Sequence, residues 1–200
     1  MYLPGDKGVK QAAISAGEGR IWISSDSSVT WAAVPFQFTR NFFGLAASAD
    51  GTKLAVIVQD WFNGNIWISS DSGVTWVERS PGGRPRKWTS ITSSTDGEFL
   101  AATDTCLEVW TSSDSGETWT QTPEVPLTAY PQFISASPDG TKLLLGEYGG
   151  SMWRSTNSGG SFTVVGARRR LRGLQAAGLQ WVATAWNAAG TKVLAVTQNG

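Results

Sequence analysis

The sequence contains no histidine and a single cysteine, Cys106. The first absence removes imidazole from general acid–base catalysis and from metal ligation. The second excludes an internal disulfide framework and a cysteine-based zinc site. Cys106 itself is expected as a buried small hydrophobe, with an exposed thiol as the alternative. A chain without disulfides suits either side of a membrane, so the compartment stays open. No apolar run approaches membrane-spanning length, and the opening MYLPGDKGVK has no apolar stretch suited to a signal peptide. If the chain is a piece of a longer protein, that opening says nothing about the parent, and an extracellular location stays open. Neither sign of charge is in excess, with sixteen Lys and Arg against sixteen Asp and Glu. Overall charge therefore favours neither nucleic acid nor a membrane surface as partner.

Tryptophan and glycine are abundant instead, at 11 and 23 residues, a combination suited to many short strands joined by tight turns. One segment recurs four times: Ile21–Trp31 reads IWISSDSSVTW, Ile66–Trp76 IWISSDSGVTW, Val109–Trp119 VWTSSDSGETW and Met152–Phe162 MWRSTNSGGSF. Its central residue falls at Asp26, Asp71, Asp114 and Asn157, in steps of 45, 43 and 43. A second motif keeps the same phase, as ADGTKL from Ala49, TDGEFL from Thr95, PDGTKL from Pro138 and AGTKV from Ala189. Two motifs interleaved at one period define a repeat protein.

Within the second unit the pattern predicts strands over 42–48, 53–58, 65–69 and 74–79, the first two joined by an Asp50–Gly51 hairpin turn. Four short antiparallel strands per repeat of about 40–50 residues are the signature of a propeller blade. The expected fold is all-β, a β-propeller of four-stranded antiparallel blades with about four to five blade equivalents. It forms one domain over 1–200, with repeats at about 5–35, 42–80, 88–122, 131–165 and 180–198. Trp22, Trp67, Trp110 and Trp153 on strand three, and Phe42, Trp88 and Trp181 on strand one, are expected to pack between sheets.

The repeated segment resembles the Asp-box, or bacterial neuraminidase repeat, whose pattern is Ser-x-Asp-x-Gly-x-Thr-Trp. Ser69, Asp71, Gly73, Thr75 and Trp76 match it fully, as do Ser112, Asp114, Gly116, Thr118 and Trp119. The first copy has Ser28 at the glycine position, and the fourth has Asn157, Ser161 and Phe162 for Asp, Thr and Trp. Chemistry alone gives these residues a structural use. A carboxylate in a turn accepts backbone N–H groups, hydroxyls add donors and acceptors, and glycine takes a positive φ that would strain Ser28. Equivalent acids recurring once per blade are not arranged as a catalytic pair, which must converge on one place. Asp26, Asp71, Asp114 and Asn157 are therefore expected to be structural, on the face that the resemblance puts away from an active site.

The opposite face carries the loops from strand two to strand three and the connections between blades. The candidate ligand-binding residues there are Arg84, Arg86, Arg168, Arg169, Arg170, Trp61 and Tyr148, with Lys87 and Tyr130 beside them. Guanidinium groups pair bidentately with carboxylates and sulfates, and aromatic rings stack on sugars. Single-stranded nucleic acid could use the same groups, but the balanced charge makes it the weaker expectation, and a solvated basic loop is the bland alternative. Glu18, Asp60, Asp104, Glu124 and Glu147 are expected on this face too, diluting its field. No metal and no cofactor is expected.

The resemblance extends to sialidases, which use a Tyr nucleophile assisted by Glu, an Asp acid–base and three arginines on the substrate carboxylate. Their Phe/Tyr-Arg-Ile-Pro motif is not found, since Arg40 lies between Thr39 and Asn41, and no catalytic residue is carried over. It extends equally to sortilin-type receptors, photosystem II assembly factors and propeller lectins, which bind without catalysis. The expected function is a non-catalytic binding or scaffold module for an anionic glycan or a protein partner. The alternative is a sialidase-like or other glycoside hydrolase whose catalytic residues are degenerate or lie outside this chain. Counting strands gives three full and two partial blades, whereas propellers of this kind generally have six or more. The expectation is a piece of a longer repeat protein whose open edges invite self-association, with a small closed ring as the alternative.

Overall fold

A computed structural model of the chain describes residues 10–15, 19–34, 41–59, 64–123, 125–127, 129–148, 151–165 and 180–198. Apart from a short 3-10 turn at Pro81–Gly83, the described secondary structure is all strand. The first sheet holds β1 (Gln11–Ser15), β2 (Arg20–Ser24) and β3 (Ala32–Val34). The second holds β4 (Asn41–Ala47), β5 (Leu54–Gln59), β6 (Gly64–Ser69) and β7 (Val77–Arg79). The third holds β8 (Trp88–Ser93), β9 (Leu100–Asp104), β10 (Val109–Ser112) and β11 (Thr120–Gln121). The fourth holds β12 (Pro131–Ala136), β13 (Leu143–Glu147), β14 (Met152–Ser155) and β15 (Thr163–Val165), and the fifth β16 (Gln180–Trp186) and β17 (Val193–Gln198). Each sheet is an antiparallel meander whose strands lie side by side in chain order. In the second unit the first three strands lie within one residue of their expected ranges and only the last departs by more. It begins at Val77 because Thr75, in the preceding turn, gives both its N–H and its hydroxyl to Asp71.

The sheets stack face to face, with β4, β8, β12 and β16 in successive contact along one side. Such stacking explains why β5, LAVIVQ, is buried along its whole length: a strand covered on both faces carries a continuous apolar run rather than an alternating one. Ala55 and Ile57 pack with Trp88, Ile91, Ala102 and Trp110 of the third blade, while Val56 and Val58 pack with Ile21 of the first. In β9 the same division sends Ala101 to the cluster it shares with Ile134, Leu143 and Leu145 of the fourth blade. The strand-one and strand-three aromatics act as spacers. Phe42, Trp88 and Trp110 are buried, and Trp67 and Trp153 lie against the clusters at their edges. Trp181 shares the strand-one register of Phe42 and Trp88.

One irregularity repeats. Pairing of strand one with strand two skips a residue between Phe42 and Gly44, between Trp88 and Ser90, between Pro131 and Phe133, and between Trp181 and Ala183. A bulge of this kind leaves one residue outside the ladder and re-aims its side chain.

Candidate functional site

The two faces of the stack differ in what they do with polar groups. On the lower face lie the turns from strand three to strand four. In the second blade Ser69 Oγ donates to Asp71 Oδ1 at 2.8 Å and accepts the N–H of Gly73 at 2.8 Å. Asp71 in turn accepts the N–H of Thr75 at 2.8 Å and its hydroxyl at 2.6 Å, and Trp76 Nε1 closes the turn on Gly73 O at 2.9 Å. The third blade repeats every one of these bonds with Ser112, Asp114, Gly116, Thr118 and Trp119. The fourth keeps the scaffold with a change of polarity: Asn157 Oδ1 accepts from Ser155 Oγ and the N–H of Ser161, while Asn157 Nδ2 donates to Ser161 Oγ at 3.1 Å. An amide accepts through its oxygen and donates through its nitrogen where a carboxylate only accepts, so Asn157 still pairs with both the N–H and the hydroxyl of Ser161.

Hydrogen bonding holds these carboxyls below the usual range. Asp71 and Asp26 lie at about 2, chiefly because of the Thr75 and Thr30 hydroxyls respectively. Asp114 is lowered by Thr118 in the same way. Each turn also needs two residues at positive φ, Ser72 and Gly73 in the second blade and Ser115 and Gly116 in the third. A Cβ on Gly116 would come within 2.7 Å of Ile68 Cδ1 in the preceding blade, and one on Gly73 within 2.9 Å of Ile23 Cδ1. Glycine thus serves blade-to-blade contact as well as backbone geometry. Ser28, at φ 71° in the first blade, is exposed.

The turns from strand one to strand two stand beside them. Asp50 and Asp139, held at about 2 first by the hydroxyls of Ser48 and Ser137, cap these hairpins. Backbone bonds lace the whole face. Within a blade, Ser72 N–H meets Thr52 O, Ser115 N–H meets Glu98 O and Ser158 N–H meets Thr141 O. Between blades, Ala49 N–H meets Thr95 O and Thr95 N–H meets Pro138 O, both at 2.8 Å.

On the upper face the residues change from blade to blade. The bulged residues Phe43, Thr89 and Gln132 of three consecutive blades line one open cavity of about 550 Å³, joined by Lys87, Thr105, Tyr130 and Pro131. Phe43 and Tyr130 are exposed. Gln132 Oε1 is buried without a hydrogen-bond partner. Tyr148 N–H donates to Tyr130 O at 2.9 Å, which sets two exposed tyrosines side by side at this rim.

The sequence-derived rim arginines separate sharply. Arg84 is well exposed, 3.7 Å from Glu108 Oε1. Arg86 is only 5% exposed and leaves the ligand-binding set: its Nη1 meets Asp104 Oδ2 at 2.9 Å and Glu108 Oε2, its Nε donates to Pro81 O, and its guanidinium lies 4.4 Å from the Trp110 ring centre. Asp104 and Glu147, expected to dilute the rim's field, are instead buried. They hold equivalent ends of strand two, opposite Trp88 and Pro131. Asp104 also caps its own turn by accepting the N–H groups of Cys106 and Glu108. In that turn Cys106 is exposed rather than buried. Arg168, Arg169, Arg170 and Trp61 lie outside the described residues, as do Glu18, Asp60 and Glu124. Among the cavity side chains that the sequence did not single out are Phe43, Thr89 and Gln132. The signal these three share is the bulge, which no residue pattern announces.

No family model matches the chain, and no curated protein matches it. Solved structures do. A GH74 enzyme of Niastella koreensis superposes on 100% of this chain and 34% of its own, with TM-score 0.64 and 15% identity. The chain has a β-propeller fold. YCF48 bound to D1 peptide covers 67% of the chain and 43% of its own, with TM-score 0.55 and 20% identity. YCF48 from Cyanidioschyzon merolae covers 66% and 38%, with TM-score 0.51 and 17% identity. At such identities the likeness extends to the propeller architecture alone, and the chain spans less than half the length of each of these structures.

Proposed function

We propose that the chain is an Asp-box propeller that binds an extended protein segment carrying an acidic side chain, in the upper cavity formed by its strand-one bulges. The supporting observation is that cavity itself. Three blades each turn one residue out of the ladder into it, and its described lining offers a cation, hydroxyls, an unpaired amide oxygen and two exposed rings. An unpaired buried acceptor favours a ligand that brings an N–H, and Lys87 favours one that brings a carboxylate. A peptide main chain with an acidic side chain supplies both. The YCF48 structure with a bound peptide supports the same class of partner. Arg84 and Tyr148 extend the surface along the rim. The aspartates of the lower face take no part in binding, being engaged within their own turns.

Phage-displayed acidic peptides panned against the chain test this reading. Enriched peptides should bind the wild type and lose most of their affinity for Lys87→Ala and Tyr130→Ala, variants that keep the wild-type melting temperature. Equal binding to all three proteins would sink it. The GH74 neighbour motivates a second reading, hydrolysis of a glycoside. A saturable rate on a fluorogenic sialoside, lost in an Arg168–Arg170 triple alanine variant, would establish that reading in place of the first.

A further inference from the structure

The upper cavity belongs to blades two, three and four, each of which has a blade on either side. Its main-chain groups are largely engaged. Thr105 N–H donates to Lys87 O and Tyr148 N–H to Tyr130 O, both at 2.9 Å, and Pro131 has no N–H. The Thr89 hydroxyl is engaged as well, 2.8 Å from Thr103 Oγ1 and 3.1 Å from Thr103 O. A segment adding itself as a strand pairs along a run of free N–H and C=O groups, and these wall positions do not supply one. Size argues against a helix. A helix with its side chains is about 10–12 Å across, as wide as a sphere of the cavity's volume of about 550 Å³, so little more than one turn would enter. One turn of polyproline II is three residues and about 9 Å long, which the same space holds whole.

Rings, one cation and one amide remain free. Among the described residues the exposed aromatic side chains are Trp31, Phe43, Tyr130 and Tyr148. Three of these four gather here: Phe43 and Tyr130 line the cavity, and Tyr148 adjoins Tyr130. Lys87 is exposed, and Gln132 Oε1 has no donor. Polyproline II matches that inventory, since its backbone needs no ladder and proline-rich segments dock on clustered aromatic rings. We propose that the upper cavity takes a proline-rich segment in the polyproline II conformation with an acid at every third position. This deepens the peptide-binding reading and rests on it. Prolines lie against Phe43, Tyr130 and Tyr148, and an acidic side chain pairs with Lys87. The acidic residue, not being proline, also keeps an N–H for Gln132 Oε1. A period of three brings successive acids to one face, and proline's fixed φ lowers the freedom lost on docking.

The test titrates two fluorescein-labelled peptides, PPEPPEPPE and AAEAAEAAE, into the whole chain and reads anisotropy. They carry the same charge, so Lys87 alone does not tell them apart. The proline peptide should bind saturably and at least about tenfold more tightly than the alanine peptide. Phe43→Ala and Tyr130→Ala, at exposed positions whose variants keep the wild-type melting temperature, should each weaken it about tenfold. Equal affinity for both peptides, lost in Lys87→Ala, would overturn the polyproline II conformation and leave the cavity as a site for acidic segments. Binding of panned acidic peptides without proline, and of neither probe, would do the same. If panned peptides and both probes all fail to bind, the cavity reading falls and takes this one with it.

Discussion

The lower and upper faces of these blades are made from the same strands and obey different rules. Below, Ser69, Asp71 and Thr75 have counterparts making the same bonds in the neighbouring blade. Above, the position of Asp104 is Val58 in the second blade, Glu147 in the fourth and Thr197 in the fifth. The backbone register is common to all four, so the blade itself does not dictate which residue stands there. Repetition therefore marks what the fold needs, and divergence at a repeated position marks where a residue is free to serve something else. Arg86 shows that divergence can also be structural, for its network belongs to one blade and is still buried.

The largest test of that contrast is Arg86→Met. It strands the fully buried Asp104, and removal of one partner of a buried pair costs about 3–5 kcal/mol. Urea denaturation should show that loss, and Arg86→Met with Asp104→Leu should recover most of it. Next comes Gly116→Ala, which sets a side chain at φ 88° against Ile68; a strained backbone of this kind costs about 1–3 kcal/mol, and the same measurement reads it. If Gly116→Ala were neutral, blade-to-blade contact would not be what selects glycine. Ser69→Ala removes a buried hydroxyl that satisfies Gly73 and Asp71 and should destabilise by about 1–3 kcal/mol.

A titration sharpens the comparison further. Asp26, Asp50, Asp71 and Asp139 are held at about 2 against 3.8 for the free side chain. Their contribution to stability is thus complete above the unfolded value and is lost as pH falls from near 4 through 2. The melting temperature should be level at neutral pH and drop through that acid window, with a shallower drop in Asp71→Asn. An unchanged profile in that variant would show that the turn does not distinguish carboxylate from amide. The smallest effect is expected at Arg84→Met: an exposed ion pair contributes at most about 1 kcal/mol, so its unfolding midpoint should be close to wild type.

Much of the fold was legible in the sequence because both repeated motifs mark turns, and turns delimit strands. Asp50–Gly51 and Asp71 bracket β5 and β6 to within a residue or two of their observed ends. The upper face was harder to read for a physical reason. Arg86 sits in RSPGGRPRK, a run that looks solvated, and its partner Asp104 lies eighteen positions on in a different hairpin. Nothing local tells an arginine that a buried carboxylate awaits it while Arg84, two residues away, stays in solvent. The bulged residues were hidden likewise, since Phe43, Thr89 and Gln132 share neither size nor polarity and are united only by a skipped partner.

The lacing of the lower face has a direction. The second blade donates through Ala49 to the third, and the third donates through Thr95 to the fourth. The third blade has both a donor for its successor and an acceptor for its predecessor, like a stitch that is finished on one side and open on the other, whereas Pro138, which has no N–H, gives the fourth blade the acceptor alone. A copy of the third blade inserted beside it finds both halves of its seam already cut. Growth by copying then needs no new contact to be invented, which makes blade number the easiest property of this architecture for evolution to change.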